Sequence, residues 1–209
     1  MLGFLSEAIR NYRQTGAVAP SSRGLARSMV KHLHDQPGPR RILEVGSGTG
    51  AFTRHILSGM EDGDRLDAVE ISKPFADALE ANVLAPHREA CPAQDCRVFQ
   101  CPIQEAPIEG PYHLVVCGLP FNNFPLELTR SIFQIMLGSM HEQGWLSYFE
   151  YVGMRALKFP FVGVSGRAAL RHHGALLADL EHRHNGYRTL INMNIPPAWS
   201  VHLQGAARP

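Results

Sequence analysis

Glu44-Val45-Gly46-Ser47-Gly48-Thr49-Gly50 sets three glycines at alternating positions directly after the apolar run Ile42–Val45, with a carboxylate two residues ahead of the first glycine. Glycines in such a turn let the backbone approach a ligand closely, and N–H groups at the start of a following helix face it. Two ligand chemistries suit the pattern. Gly46-x-Gly48-x-x-Ala51 satisfies the spacing of a dinucleotide fingerprint, and Glu70, at the end of the next apolar run, can accept hydrogen bonds from ribose hydroxyls. Against a pyrophosphate, however, the Glu44 carboxylate has the wrong sign, and Gly50 comes one position early. A zwitterionic ligand, whose amino group Glu44 can reach, accommodates both features; the other role open to Glu44 is to orient the turn itself. A second segment able to do chemistry is Val116-Cys117-Gly118-Leu119-Pro120-Phe121-Asn122-Asn123-Phe124-Pro125, a Pro-bounded loop after a buried apolar run. Metal chemistry is not expected. Cys91, Cys96 and Cys101 are spaced C-x4-C-x4-C, which matches no common zinc pattern, and neither His172-His173 nor His182-x-His184 forms an H-E-x-x-H helix.

These residues have to be held by alternating strands and helices. At 209 residues and 44% hydrophobic composition, the chain suits one domain with its own core. Arg41–Val45, Arg65–Glu70, Arg97–Gln100, His113–Cys117 and Gly144–Tyr151 read as strands. Helices are predicted at about Ala51–Leu57, Pro74–Asn82, Leu126–Gly138 and Ala168–His184. Leu190–Ile195 and Ala198–Leu203 flank Pro196-Pro197 and predict an antiparallel hairpin at the sheet edge. Ahead of the first strand, Met1–Gln14 is an amphipathic helix with Leu2, Leu5, Ile9 and Tyr12 on one side and Arg10 and Arg13 on the other. A second helix runs from about Ser21 to His34, capped by Ser21 or Ser22. Gln36-Pro37-Gly38-Pro39 separates this helical segment, residues 1–38, from a core of residues 39–209 within the single domain. The fold class is α/β and Rossmann-like, a mostly parallel sheet covered on both faces, whose ligands bind at the carboxyl ends of the strands.

The E-x-G-x-G-x-G pattern resembles motif I of class I S-adenosylmethionine-dependent methyltransferases. The Gly118–Pro125 loop is similar to the N-L-P-Y or N-P-P-Y loop of amino-methyltransferases, including rRNA adenine dimethylases, with Gly118 in place of the leading Asn or Asp. Gly16-Ala17-Val18-Ala19-Pro20-Ser21-Ser22-Arg23-Gly24-Leu25-Ala26 is similar to the G-A-[IV]-x-P-S-S-x-x-L-A opening of bacterial phospholipid N-methyltransferases. Asn194-Ile195-Pro196-Pro197-Ala198 resembles that family's N-x-P-P-A, and Phe149-Glu150-Tyr151 stands where it often has F-x-Y. The resemblance runs from near residue 4 to about residue 203. It implies a seven-stranded methyltransferase sheet and stepwise methylation of a lipid amine, phosphatidylethanolamine becoming phosphatidylcholine. Ornithine lipid N-methylation is the first alternative and rRNA adenine N-methylation the second. S-adenosylmethionine is then the cofactor, held by Ser21, Glu44, Gly46, Ser47, Gly48, Gly50, Glu70, Ile71, Pro102, Ile103, Gly118 and Leu119. Arg23, Pro120, Asn122 and Asn123 would meet the substrate. Where these enzymes commonly set an acidic residue against adenine, the chain has Gln100-Cys101-Pro102-Ile103, so backbone and apolar contact are expected to hold that ring.

An alkylamine acceptor resembles lysine, with a pKa of about 10.4, and must lose a proton to a base or to a desolvating site before it can attack. Tyr12, Glu150 and Tyr151 are the candidates for holding the headgroup or relaying that proton. The formal charge of +1 hides an uneven distribution: +5 up to Arg41, −9 over residues 42–150, and +5 from Tyr151 onward. Basic ends suit phosphates, and seventeen of the twenty basic residues are Arg, the side chain that grips them in two-pronged fashion. The expected partners are an amine-bearing membrane lipid and an anionic membrane surface, met by Leu2, Leu5, Ile9, Arg10 and Arg13 of the first helix. No run of the chain is long and apolar enough for a membrane span and the start carries no leader pattern, so the expected location is cytoplasmic, peripheral to the inner face of the cell membrane. A nucleic-acid partner is not expected, because little chain follows residue 151 to build an RNA-facing domain. A non-enzymatic nucleotide-binding module leaves the Gly118–Pro125 loop unexplained. Oligomeric state is not legible.

Overall fold

The computed structural model describes residues 22–121, 124–153 and 164–206. Seven strands, β1 (Arg41–Val45), β2 (Arg65–Val69), β3 (Asp95–Phe99), β4 (Tyr112–Cys117), β5 (Met140–Tyr151), β6 (Tyr187–Ile191) and β7 (Ala198–Gln204), form one sheet in the order β3-β2-β1-β4-β5-β7-β6. The β3-β2-β1-β4-β5 portion is parallel, and β7 runs antiparallel to both β5 and β6. This is the expected Rossmann-like sheet with its terminal hairpin. Strands β1, β2 and β4 are buried along nearly their whole length, as central strands covered on both faces are, with the carboxylates Glu44 and Asp67 buried among apolar residues.

Helices α1 (Arg23–Met29), α2 (Thr53–Leu57) and α3 (Lys73–Leu79) precede a π-helical turn at Glu80–Leu84, then come α4 (Ala85–Ala90), α5 (Leu126–Gly138) and α6 (Val164–Arg183). Leu25, Ala26 and Met29 of α1 pack with Phe52, Ile56 and Leu79 on one sheet face. Ile132, Phe133 and Met136 of α5 and Leu177 and Leu180 of α6 pack with Tyr148, Val201 and Leu203 on the other. Ser22 caps α1 by accepting a hydrogen bond from the Leu25 N–H at 3.2 Å.

Three expected elements are corrected. The helix expected from about Ser21 to His34 is helical over Arg23–Met29, and residues 30–34 are turns. The helix expected to end near Asn82 continues through the π turn into α4, with Pro86 in the first turn of α4, where an N–H is dispensable. The penultimate strand was expected at Leu190–Ile195 and lies at Tyr187–Ile191. Asn185 ends α6 in the left-handed region at φ 47°, the chain reverses through Gly186, and β6 starts at once. Residues 192–197 form a connection in which the Asn194 side chain bonds the backbone on both sides.

Candidate functional site

Strand order reverses at β1, which pairs β2 on one side and β4 on the other, and a crevice at the carboxyl ends follows from that arrangement. A cleft of about 690 Å³ lies there. Its walls are Val45, Gly46 and Gly48 after β1, Val69, Glu70, Ile71 and Phe75 after β2, and Cys101, Pro102 and Ile103 after β3. Gly118, Leu119 and Pro120 after β4, with Ile132 from α5, complete it.

The glycine turn is fastened from below. Gly46 N–H donates to the Val69 carbonyl at 2.8 Å, and Gly118 N–H donates to the Val45 carbonyl at 2.8 Å. Gly46 sits at φ 75°, and a Cβ there would lie 2.5 Å from Leu119 Cδ2. A Cβ on Gly118 would come within 2.5 Å of the Gly46 carbonyl oxygen. Two segments far apart in sequence therefore touch through their bare backbones, which leaves no room for a side chain at Gly118. Gly48, at φ 56°, has nothing within 4 Å of the position a Cβ would take, so its backbone faces open space in the cleft.

Glu70 links two turns: one carboxylate oxygen accepts from Gly48 N–H at 2.8 Å, the other from Ser72 N–H at 2.8 Å. Its carboxylate thereby stands fixed on the cleft wall between the two turns. Glu44 is fully buried and accepts from Thr53 Oγ1 at 2.6 Å, tying β1 to α2 across the glycine turn. Loss of solvation pushes its carboxyl from 4.5 up to about 8, against the stabilising Thr53 bond and with a smaller contribution from the Glu70 charge. Glu44 Oε1 and Ser47 Oγ are buried without a hydrogen-bond partner among the described residues. The arrangement fits a ligand with a polar, ammonium-bearing end at the turn, hydroxyls at Glu70, and a flat apolar end against Ile71, Phe75, Pro102 and Ile103. Gln100 does not enter the cleft lining; its Nε2 donates to the Ile71 carbonyl at 3.1 Å.

Of the residues named from sequence, Gly46, Gly48, Glu70, Ile71, Pro102, Ile103, Gly118, Leu119 and Pro120 meet in this cleft. Glu44, Ser47 and Gly50 lie at the turn but off the lining, with Gly50 backed by Arg54, Leu79 and Val83. Arg23 is exposed on α1, beside Arg27 and Lys31 in a basic hollow separate from the cleft. Glu150 is off the lining: its carboxylate faces Arg188 at 3.5 Å. Tyr151 packs edge-on to Phe149, ring centroids 5.3 Å apart, on the face that carries α1. Leu2, Leu5, Ile9, Arg10, Tyr12, Arg13, Ser21, Asn122 and Asn123 lie outside the described residues. Val45, Val69, Phe75, Cys101 and Ile132 were not foreseen. Val45 and Val69 end strands at the crevice and were findable by position, whereas Phe75 and Ile132 look like ordinary helix residues. Among the described residues no group of His, Cys, Asp and Glu could hold a metal.

No protein-family model matches the chain. It is 29% identical over 133 residues to the ornithine lipid N-methyltransferase of Singulisphaera acidiphila, covering 64% of this chain and 68% of that protein. It is 33% identical over 81 residues to the tRNA1(Val) (adenine(37)-N6)-methyltransferase of Tolumonas auensis, 37% of this chain and 34% of that one. Among solved structures, it is similar to the O-methyltransferase TomG of Streptomyces achromogenes in complex with SAM, with TM-score 0.62 and 18% identity over 96% of this chain and 88% of that one. It is likewise similar to an O-methyltransferase from Bacillus cereus in complex with SAH, with TM-score 0.64 and 16% identity over 97% and 90% of the two chains. The fold is that of class I S-adenosylmethionine-dependent methyltransferases.

Proposed function

We propose that this chain transfers the methyl group of S-adenosylmethionine to the amine of a membrane lipid headgroup, and that an ornithine-type lipid is the substrate to place first. The observation that carries the reading is the cleft itself: a glycine turn and Glu70 on one wall, an apolar end, and the Gly118–Pro120 loop opposite. The similarity to an ornithine lipid N-methyltransferase supports the lipid amine, and shifts the first choice of headgroup away from phosphatidylethanolamine.

Gly46, Gly48 and Glu70 would hold the methionine and ribose portions, and Ile71, Phe75, Pro102 and Ile103 the adenine. Bound there, the cofactor supplies a methyl group already activated for transfer. The protein's work is then alignment and exclusion of water. Leu119 and Pro120 bound the cleft opposite Glu70 and seat the acceptor. The apolar walls supplied by Ile103, Leu119, Pro120 and Ile132 disfavour an ammonium ion and so deliver the amine in its neutral, nucleophilic form. Of the two routes open from sequence, a base or a desolvating site, the apolar walls favour desolvation, and Glu150 faces Arg188. Attachment to the inner face of the membrane, through Leu2, Leu5, Ile9, Arg10 and Arg13, belongs to the same proposal; among the described residues no helix is long and apolar enough to cross a membrane.

Incubation with radiolabelled S-adenosylmethionine and separate pools of ornithine lipid, phosphatidylethanolamine, rRNA and tRNA tests the reading. Label in ornithine lipid is the expected result. Label in phosphatidylethanolamine corrects the headgroup and keeps the lipid amine, and label in RNA alone overturns the proposal.

A further inference from the structure

The connection between β6 and β7 bears the two most exposed large apolar side chains of the described residues, Met193 at 89% and Ile195 at 79%. Between them, Asn194 is 3% exposed. Its Oδ1 accepts the Ser22 N–H at 2.9 Å, at the start of α1, and its Nδ2 donates to the Pro196 carbonyl at 2.7 Å. The Pro197 carbonyl accepts the Val152 N–H at 2.8 Å. The connection is thus pinned from both sides, and its apolar side chains point outward from a held backbone.

Its place in the fold gives the exposure a meaning. Ala198 pairs with Tyr151, so residues 192–197 sit at the carboxyl end of β5, the same edge of the sheet on which the cleft opens after β1, β2 and β4. The two chain stretches that meet at the tip carry basic residues and no carboxylate. No Asp or Glu occurs from Asn185 to Pro209 or from Ala8 to His34, and the second stretch places Arg23 and Arg27 on α1 with Lys31 just beyond it; on the adjoining β5, Glu150 is buried and faces Arg188. Two apolar side chains on a convex tip offer far less than the roughly 1,200 Å² of a stable protein interface. Apolar tip and basic α1 flank together match an anionic lipid surface, where apolar side chains enter the acyl boundary and cations meet phosphates.

We infer that the 192–197 connection is a membrane-inserting tip: Met193 and Ile195 enter an anionic phospholipid surface while Arg23 stands at the level of its phosphates. This rests on the lipid reading of the cleft and deepens it, since the tip would set the cleft mouth against the bilayer that holds the substrate. Each inserted side chain contributes on the order of tenfold in partitioning.

The test is co-sedimentation of the full chain with vesicles of equal phosphatidylglycerol and phosphatidylcholine, comparing wild type with Met193→Ser/Ile195→Ser and with the conservative Met193→Leu/Ile195→Leu. The serine variant is expected to lose at least tenfold in vesicle affinity. Its unfolding midpoint, its affinity for S-adenosylhomocysteine and its methylation of lipid in nonionic detergent micelles should be unchanged, and the leucine variant should bind as wild type. Wild-type vesicle binding by the serine variant overturns the tip. A drop in its unfolding midpoint with new protease cleavage in residues 1–21 also overturns it, by showing that the chain's own start covers the pair. Loss of vesicle binding in a protein that methylates no lipid in any preparation upholds the tip and removes the lipid methylation reading instead.

Discussion

Glu44 shows how far a single side chain can be read before its surroundings are known. Its position two residues ahead of Gly46 marked it as a ligand contact or a brace for the turn, and the bond to Thr53 is a brace. The sequence could not show that the carboxylate is fully buried, because burial comes from α2 folding back over β1. A carboxyl raised from 4.5 to about 8 stays protonated in the folded chain at pH values where the unfolded chain has released its proton. Its stabilising contribution is therefore complete below pH 4.5 and is lost as pH rises toward 8, a difference on the order of 5 kcal/mol. Glu44→Gln keeps an acceptor for Thr53 and cannot ionise. Urea denaturation should find it close to wild type at pH 4 and several kcal/mol more stable at pH 8; equal pH profiles would place the ionisation elsewhere. Gly46, Gly48 and Glu70 were legible because they stand at strand ends on the crevice, whereas the pairing of Glu150 with Arg188 was not, because Arg188 reaches it only through the hairpin.

At the level of elements, periodicity found the parallel strands and α5 to within a few residues, because buried apolar runs state their own purpose. It failed where local geometry overrides pattern, as at the π turn after α3 and at the reversal through Asn185 and Gly186. Nor could it show what docks α1. After that helix, His32 stacks on Trp145 with centroids 3.9 Å apart and planes 9° apart, and Tyr187 meets both rings edge-on. Lys31 lies 4.8 Å over the Tyr187 ring. His202, bonded to Ser147 at 2.9 Å, closes the cluster and is kept neutral by burial, which lowers its pKa to about 3. This packing joins the N-terminal helix to β5, β6 and β7 at once. Trp145→Ala should cost about 3 kcal/mol, read as a lower urea midpoint; a loss below about 1 kcal/mol would show that α1 is held by its apolar face alone.

Across the whole molecule, stability and chemistry occupy opposite edges of the sheet. The cleft and the 192–197 tip lie at the carboxyl ends of the parallel strands. Toward the amino ends, buried Asp67 accepts from Tyr112 at 2.7 Å, Arg97 at 2.6 Å and Arg65 at 3.2 Å. Nearby, Arg40 pairs with buried Asp64 at 2.8 Å. Asp67→Ala should destabilise the chain by about 1–3 kcal/mol, since it leaves the buried Tyr112 hydroxyl without its acceptor, while Arg65 and Arg97 keep Glu109 within 4 Å. Calorimetry with S-adenosylhomocysteine should nevertheless return an affinity within about threefold of wild type, as none of those side chains borders the cleft. A large loss of affinity without unfolding would show the two edges to be coupled.

The contact between Gly46 and Gly118 has a consequence for how this protein can change. Placing an Asn at 118, as an engineer aiming at a base amine would do, drives a carbon into the carbonyl of the glycine turn, and widening position 46 drives one into Leu119. The two sites are a single steric unit, so a new acceptor preference has to be acquired by remodelling both loops together.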